Sequence, residues 1–193
     1  MNEQQIIAAA KRGDGQAISV LVDRYSERIY NLALRILRNR EDAEDILQET
    51  FLTVIEKLNT FDGRSSFFTW VYRIGTNASL MKLRRKKMKF AEIPDNPNFE
   101  NSLEWTFTDS SNDPSSSLEN AEVQSVLDEA INELPEIYRT VFILRDLELL
   151  SIKETSKILG ISEENVKIRL RRARLFLRDK LSDYFSERVV NNE

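Results

Sequence analysis

Three carboxylates, Asp42, Asp45 and Glu49, stand three and four residues apart in the stretch "EDAEDILQET". On a helix that spacing gathers them on one face. Such a face could share a hard cation through oxygen ligands, or it could attract a basic partner helix. Farther on, Lys167, Arg171 and Arg174 repeat a four-then-three spacing in "VKIRLRRAR". A basic helical face of this kind suits phosphates and base edges. Between the two lies "FFTWVYRIGTNASLMKLRRKK" (67–87), which runs from aromatic rings to Lys and Arg. Rings stack on unpaired bases and cations track the strand's phosphates. Each pattern also has an ordinary reading. Phe67, Phe68, Trp70 and Tyr72 serve equally well as core, and charged faces are common on solvated helices.

Other chemistry is excluded by composition. The 193 residues contain neither Cys nor His, so disulfides, Cys/His zinc sites, thiol nucleophiles and an imidazole base are all absent. No cofactor and no metal site is expected. The beginning, "MNEQQIIAAAKRGDG", lacks a basic start followed by a long apolar run, and no 18-residue apolar stretch exists. Neither a signal peptide nor direct membrane insertion is therefore expected, which makes a cytoplasmic location the expectation.

The formal charge is −4, yet the charge is sorted along the chain. Residues 82–89 hold six Lys/Arg and no acid, residues 91–122 hold eight Asp/Glu and no base, and residues 161–181 hold seven Lys/Arg against three acids. Sorting of this kind points to separate partners for separate segments.

The elements that must position these residues read as helices, because Gly and Pro are scarce and period-2 alternation is missing. Residues 16–38 place Ile18, Leu21, Val22, Tyr25, Ile29, Leu32 and Ile36 at helical spacing. Asn39 is a stop and a cap. Residues 41–58 place Ala43, Ile46, Leu47, Phe51, Val54, Ile55 and Leu58 on a second apolar face, and a third helix runs from about 66 to 89. Period is then lost in 91–117, rich in Pro, Asn, Asp and Ser, which reads as a flexible acidic linker carrying Trp105 and Phe107. "SSLE" (116–119) is a capping-box pattern that restarts the helices, and Pro135 fits the first turn of another. The fold class is all-α, with two small helical domains, 1–90 and 118–187, joined by the linker at 91–117.

The second domain ends in helix-turn-helix grammar. "SIKE" (151–154) is a second capping box, Gly160 suits a left-handed turn, and Ser162 caps the helix that follows. Ile158, Leu159, Ile161, Val166 and Leu170 make the shared core. That arrangement presents the second helix to a major groove. Thr155 and Ser156 depart from it, standing where such motifs carry an aliphatic residue and a small Ala.

Taken together, "DAEDILQETFLTV", "TFDGRSSFFTWVYRIGTNASLMKLRRKK" and "LPEIYRTVFILRDLELLSIKETSKILGISEENVKIRLRRAR" resemble the bacterial sigma-70 family of RNA polymerase sigma factors, in its two-domain extracytoplasmic-function (ECF) form. The resemblance covers nearly the whole chain outside the linker and tails. It implies a sigma factor, not an enzyme, that binds core RNA polymerase and directs promoter-specific initiation. Asp45, Gln48 and Glu49 match the segment that docks on the clamp helices of the polymerase largest subunit. "TFDGRSSF" matches the loop that captures a flipped base of the minus ten element. Phe61 and Asn77 match base-pocket positions, and Trp70, Tyr72 and Arg73 match the helix beside the pocket. Lys82, Arg84 and Arg85 would lie along phosphates. Lys167, Ile168, Arg171, Arg172 and Arg174 would face the minus thirty-five element. "ELP" (133–135) resembles the segment beside the polymerase flap. The resemblance further implies promoter DNA, as duplex and as single-stranded non-template strand, and an anti-sigma factor among the partners. A further departure is in the aromatic helix: primary sigma factors carry a tandem Trp pair for melting, and here there is only Trp70.

Two other classes fit parts of the sequence. A stand-alone helix-turn-helix regulator would account for 118–187 and leave 41–89 without a purpose. A nuclease would need Asp42, Asp45 and Glu49 to converge on a metal.

Overall fold

The computed structural model describes the backbone of residues 2–91 and 117–190 and the side chains of residues 2–86 and 125–182. The linker expected at 91–117, Trp105 and Phe107 within it, and the cap expected at Ser116 lie outside the described residues, save for the helix termini at 91 and 117. All regular structure among the described residues is helical: α1 (Glu3–Lys11), α2 (Gly15–Leu37), α3 (Arg40–Lys57), α4 (Phe67–Ala91), α5 (Ser117–Glu133), α6 (Glu136–Phe142), α7 (Ile152–Leu159) and α8 (Glu163–Val190). There are two compact units, one built on α1–α4 and the other on α5, α6 and α8.

In the first unit each helix has a local reason to begin. Asn2 and Gln5 form a reciprocal capping box at α1, with Gln5 N donating to Asn2 Oδ1 at 2.9 Å and Asn2 N to Gln5 Oε1 at 3.0 Å. Asp14 caps α2 by accepting from the amides of Gln16 and Ala17. Asn39 does cap α3, its Oδ1 accepting from Asp42 N at 2.8 Å. The first helix was absent from the sequence expectations. Its signals, the Asn2/Gln5 box and the pair Ile6 and Ile7, are short and local.

The core of this unit is the inward face of α2, with Leu21, Tyr25, Ile29, Leu32 and Ile36, packed against Ala43, Ile46 and Val54 of α3 and Val71 of α4. Each buried Leu or Ile contributes about 1.5–3 kcal/mol relative to exposure. Gly75 of α4 faces α2 and α3: a Cβ there would stand 3.4 Å from Ile29 Cδ1 and 3.5 Å from Thr50 Oγ1, ordinary contact distances. Ile55, expected to face inward, is exposed. It sits at the edge of the α3 stripe, past the arc that α2 and α4 cover.

In the second unit Pro135 occupies the N-cap of α6, where its carbonyl accepts from the amides of Tyr138 and Arg139, both at 2.9 Å. The helix then widens into a π turn at Ile143–Leu147. Leu134, Val141, Ile143, Leu144, Ala173 and Leu177 form the core. The turn into α7 carries Leu149 at φ +55, with its side chain 82% exposed.

The capping box at α7 is complete: Glu154 N donates to Ser151 Oγ at 3.1 Å and Ser151 N to Glu154 Oε2 at 2.9 Å. Gly160 follows at φ +64, the left-handed conformation that a side chain would strain. Ser162 Oγ then accepts from Asn165 N at 3.2 Å to open α8. Ile158, Val166 and Leu170 are buried, whereas Leu159 and Ile161 are half-buried. Thr155 is fully buried and its hydroxyl has no hydrogen-bond partner.

Candidate functional site

Chemistry-bearing side chains gather on three surfaces. The first is the outward face of α3. Asp45, Gln48 and Glu49 are all exposed there. Leu52, three residues after Glu49 and four after Gln48, is 69% exposed, and Ile55 stands beside it. Leu52 and Ile55 were not among the expected binding residues. The signal was available, since an apolar residue one turn beyond an acidic pair shares its face. An apolar centre rimmed by carboxylates suits a helix that carries both apolar and basic side chains.

Asp42 does not join that face. It is buried, and its carboxylate accepts from Lys82 Nζ at 3.0 Å and from Lys86 Nζ. Burial alone would raise the Asp42 pKa, but the hydrogen bonds and charge of Lys86 and Lys82 outweigh it and hold the carboxyl below the ordinary carboxylate range. The nuclease reading loses its ligand set here. Asp42 is committed to two lysines, and among the described residues no group of three His, Cys, Asp or Glu is placed to hold a metal.

The second surface joins the loop 61–66 to α4. Phe61 is half-buried, with its ring 5.3 Å from both Phe67 and Trp70 between centroids. Trp70 keeps part of its face open, and Arg73 and Asn77 are exposed farther along the same helix, as are Arg84 and Arg85. The loop makes its own turn: Arg64 N donates to Asp62 Oδ1 at 3.1 Å, and Gly63 sits at φ +77. Ser66 closes it by capping α4, accepting from Thr69 N at 3.1 Å.

Two expected nucleic-acid residues of α4 take other roles. Tyr72 is 0% exposed and packs on Phe68 with ring centroids 4.1 Å apart, so it offers no stacking face. It is core, as is Phe67. Lys82, expected on phosphates, bridges Asp42 and Asp45 at 3.0 and 2.7 Å. Burial would lower its pKa, but the hydrogen bonds to Asp45 and Asp42 raise it above the ordinary lysine value.

The third surface is on α8. Lys167, Arg171, Arg172 and Arg174 are exposed, and Ile168 is 45% exposed among them. Lys167, Arg171 and Arg174 line one open cleft of about 460 Å³, together with Arg145 and Arg178, which the sequence reading did not select. The cations are not equivalent. Arg174 grips Asp146 with both ends of its fork, Nε to Oδ2 at 2.9 Å and Nη2 to Oδ1 at 2.6 Å, and those bonds raise its pKa. Its Nε–Nη2 edge is thus engaged within the protein, where it ties α8 to the π turn, and only the rest of the guanidinium faces outward. Arg172 donates to Tyr138 Oη at 2.9 Å and lies over that ring. Lys167 is paired loosely with Glu164 at 3.7 Å. Arg171 projects from the exposed side of the cleft.

Comparisons with known proteins identify the family of the chain. The family model "Sigma-70 region 2" matches residues 21–88, and "Sigma-70, region 4" matches residues 124–177. The chain is 34% identical over 180 residues to the ECF RNA polymerase sigma factor SigW of Bacillus subtilis, covering 92% of this chain and 95% of that protein. It is 28% identical to the ECF RNA polymerase sigma-E factor of Haemophilus influenzae, covering 94% and 96%. Among solved structures it is similar to CnrH in complex with the cytosolic domain of CnrY, with a TM-score of 0.64, 25% identity and coverage of 94% and 97%. The sigma factor RpoE in complex with the anti-sigma factor NepR, from Bartonella quintana, has the same fold, with a TM-score of 0.62, 20% identity and coverage of 84% and 93%. The match across both regions leaves no room for a stand-alone helix-turn-helix regulator: the chain belongs to the ECF group of the sigma-70 family, the sigma factors that direct RNA polymerase to promoters.

Proposed function

We propose that this chain joins core RNA polymerase through the outward face of α3, sets α8 on a minus thirty-five element, and holds the non-template strand of a minus ten element against the loop 61–66 and α4. In this reading residues 1–90 carry docking and opening, residues 118–187 carry upstream recognition, and the segment between them is a tether. The protein makes and breaks no covalent bond. It lowers the cost of an open promoter by stacking on and pairing with exposed bases, and it acts in the cytoplasm.

The observation that supports this best is the exposed row Asp45, Gln48, Glu49 and Leu52 on α3. Such a row is of no use to a protein that only grips duplex DNA. Arg171 and Lys167, exposed beside Ile168, suit base edges, whereas the other cations of the cleft suit phosphates. The RpoE–NepR complex supports a further expectation, that an anti-sigma factor holds this chain inactive until a signal releases it.

The test is gel filtration of the full chain with bacterial core RNA polymerase, followed by run-off transcription from a promoter library. Stoichiometric co-elution and selective transcripts support the reading. Elution of the protein alone at low and moderate salt would overturn it.

A further inference from the structure

The loop 61–66 has a neighbour that lies outside the region 2 match. The region 2 match begins at residue 21, whereas α1 ends at Lys11. Between α1 and the loop lies an open cleft of about 700 Å³, with Gln4, Ile7 and Lys11 on one side and Phe61, Ser65 and Phe67 on the other. The two walls are physically joined. Lys11 Nζ donates to the Phe61 carbonyl at 2.5 Å, and the same ammonium lies 5.7 Å from the centroid of the Phe61 ring.

At its other end α1 is pinned to α2. The Tyr25 hydroxyl donates to Glu3, and Arg24 pairs with the same carboxylate at 3.4 Å. Glu3 is the acidic group on this wall, and these two bonds engage its charge. What α1 then offers the cleft is the edge of the largely buried Ile7, an amide from Gln4 and the ammonium of Lys11.

We infer that α1 is the second wall of the pocket that takes an extruded base, with Lys11 as its positioning residue and Gln4 as a residue that reads the base edge. This rests on the single-strand role proposed for the loop. The physical argument has three parts. A base leaving the stack gives up its stacking and pairing, which a pocket must return by stacking and edge hydrogen bonds. Phe61 supplies a ring, but a ring in a loop stacks well only if its backbone is fixed, and Lys11 fixes it by engaging the carbonyl. Gln4 carries two N–H donors and two acceptor sites, so its amide can match a base edge in either sense. Lys11 has two further N–H donors beyond the one that engages Phe61, and its ammonium lines the cleft that a strand would enter.

The experiment uses the full-length protein and fluorescent single-stranded oligonucleotides bearing the minus ten sequence of a promoter it transcribes. One oligonucleotide is complete, and in the others each position in turn is abasic. Wild type should show one position where loss of the base weakens binding about ten-fold, the range expected for one stacked base. Lys11→Met should erase most of that difference while binding the abasic oligonucleotide as wild type does. Lys11→Arg, which keeps a donor for the carbonyl, should restore it. Gln4→Ala, at an exposed position that makes no core contact, should change which base is preferred at that position and no other. Gln4→Ala carries the test alone if Lys11→Met melts early. Equal weakening of all oligonucleotides by Lys11→Met would make the lysine a phosphate contact and overturn the assignment, as would no effect from either variant. If wild type has no base-sensitive position at all, the single-strand role of the loop itself fails, a separate result.

Discussion

Lys82 Nζ stands 2.7 Å from Asp45 Oδ2 and 3.0 Å from Asp42 Oδ1, so one ammonium bridges a buried and an exposed carboxylate of α3. A lysine expected on DNA thus fastens α4 to the helix expected on polymerase. The exposed half of the bridge is worth little in water, but Asp42 is shielded, and there the loss of charge leaves two lysines beside an uncompensated site.

Asp42→Asn should therefore destabilise the protein by about 1–3 kcal/mol at neutral pH, as measured by urea unfolding. The sign of the pH dependence follows from the direction of the shift. The folded-state pKa of Asp42 lies below its ordinary value, so its contribution is present above the unfolded pKa and disappears as pH falls through the folded one. Wild type and variant should converge in acid. Parallel stability curves down to low pH would show that Asp42 is not the ionised centre of this cluster.

Leu52, with Ile55 beside it, is the apolar centre of a face that also carries Asp45 and Glu49. Because it is exposed, Leu52→Ala should change folding stability by less than about 0.5 kcal/mol. It should weaken association with core polymerase by about ten-fold, as for a residue at the centre of an interface. Asp45→Ala with Glu49→Ala should act on the same equilibrium, mainly by slowing association at low salt. Polymerase binding unchanged by Leu52→Ala would confine docking to the charged rim.

The local grammar of this protein was legible in its sequence, and its long-range pairings were not. Asn39, Ser151 with Glu154, Gly160 and Ser162 do what their types and neighbours dictate, since a cap or a left-handed turn depends on residues within four positions. Lys82 and Arg174 look like any other cations of a basic helix. Their partners lie 37 and 28 residues earlier, and only the packing of α3 against α4, or of α6 against α8, brings them close. Tyr72 was ambiguous for the same reason. An aromatic side chain in an aromatic–basic helix is core or surface according to rotation about the helix axis, which four rings in six residues do not fix. The first helix escaped notice because nine residues give too few turns for a period to show.

Arg171 and Arg174 should separate cleanly on DNA. Arg171→Ala should cost about 1–3 kcal/mol of discrimination at one base pair if it reads a base edge, and little elsewhere. Arg174→Ala should weaken binding evenly across sequences and also lower stability, because its fork holds Asp146. The pair is partly solvated, so a double-mutant cycle with Asp146→Ala should give a coupling of no more than about 1 kcal/mol. A base-specific loss in Arg174→Ala would return it to the reading face.

Leu149 holds a left-handed backbone and is 82% exposed. An L-residue pays about 1–2 kcal/mol for that conformation, and Asn tolerates it better. Leu149→Asn should raise the melting temperature of the second unit by several degrees, since about 1 kcal/mol moves a unit of this size by about 4–8 °C. Leu149→Val, β-branched and less able to adopt positive φ, should lower it. If both variants melt with wild type, the strain is absent in solution.

Thr155 gives the test at the turn that leads to DNA. It is fully buried on α7, and its Oγ1 finds no donor or acceptor, while Thr140, also buried, satisfies its own hydroxyl on the Glu136 carbonyl at 2.8 Å. An unpaired buried hydroxyl costs about 1–3 kcal/mol in protein mutational series. Valine has the same shape without that group, so Thr155→Val should stabilise the chain by about 1 kcal/mol and leave promoter choice unchanged. Thr140→Val, which deletes a satisfied hydroxyl, should be neutral or destabilising under the same conditions. The contrast between the two threonines is what matters: equal effects would mean that the Thr155 hydroxyl is satisfied in solution, and that the departure from an aliphatic residue at this position has no energetic consequence for the helix-turn-helix.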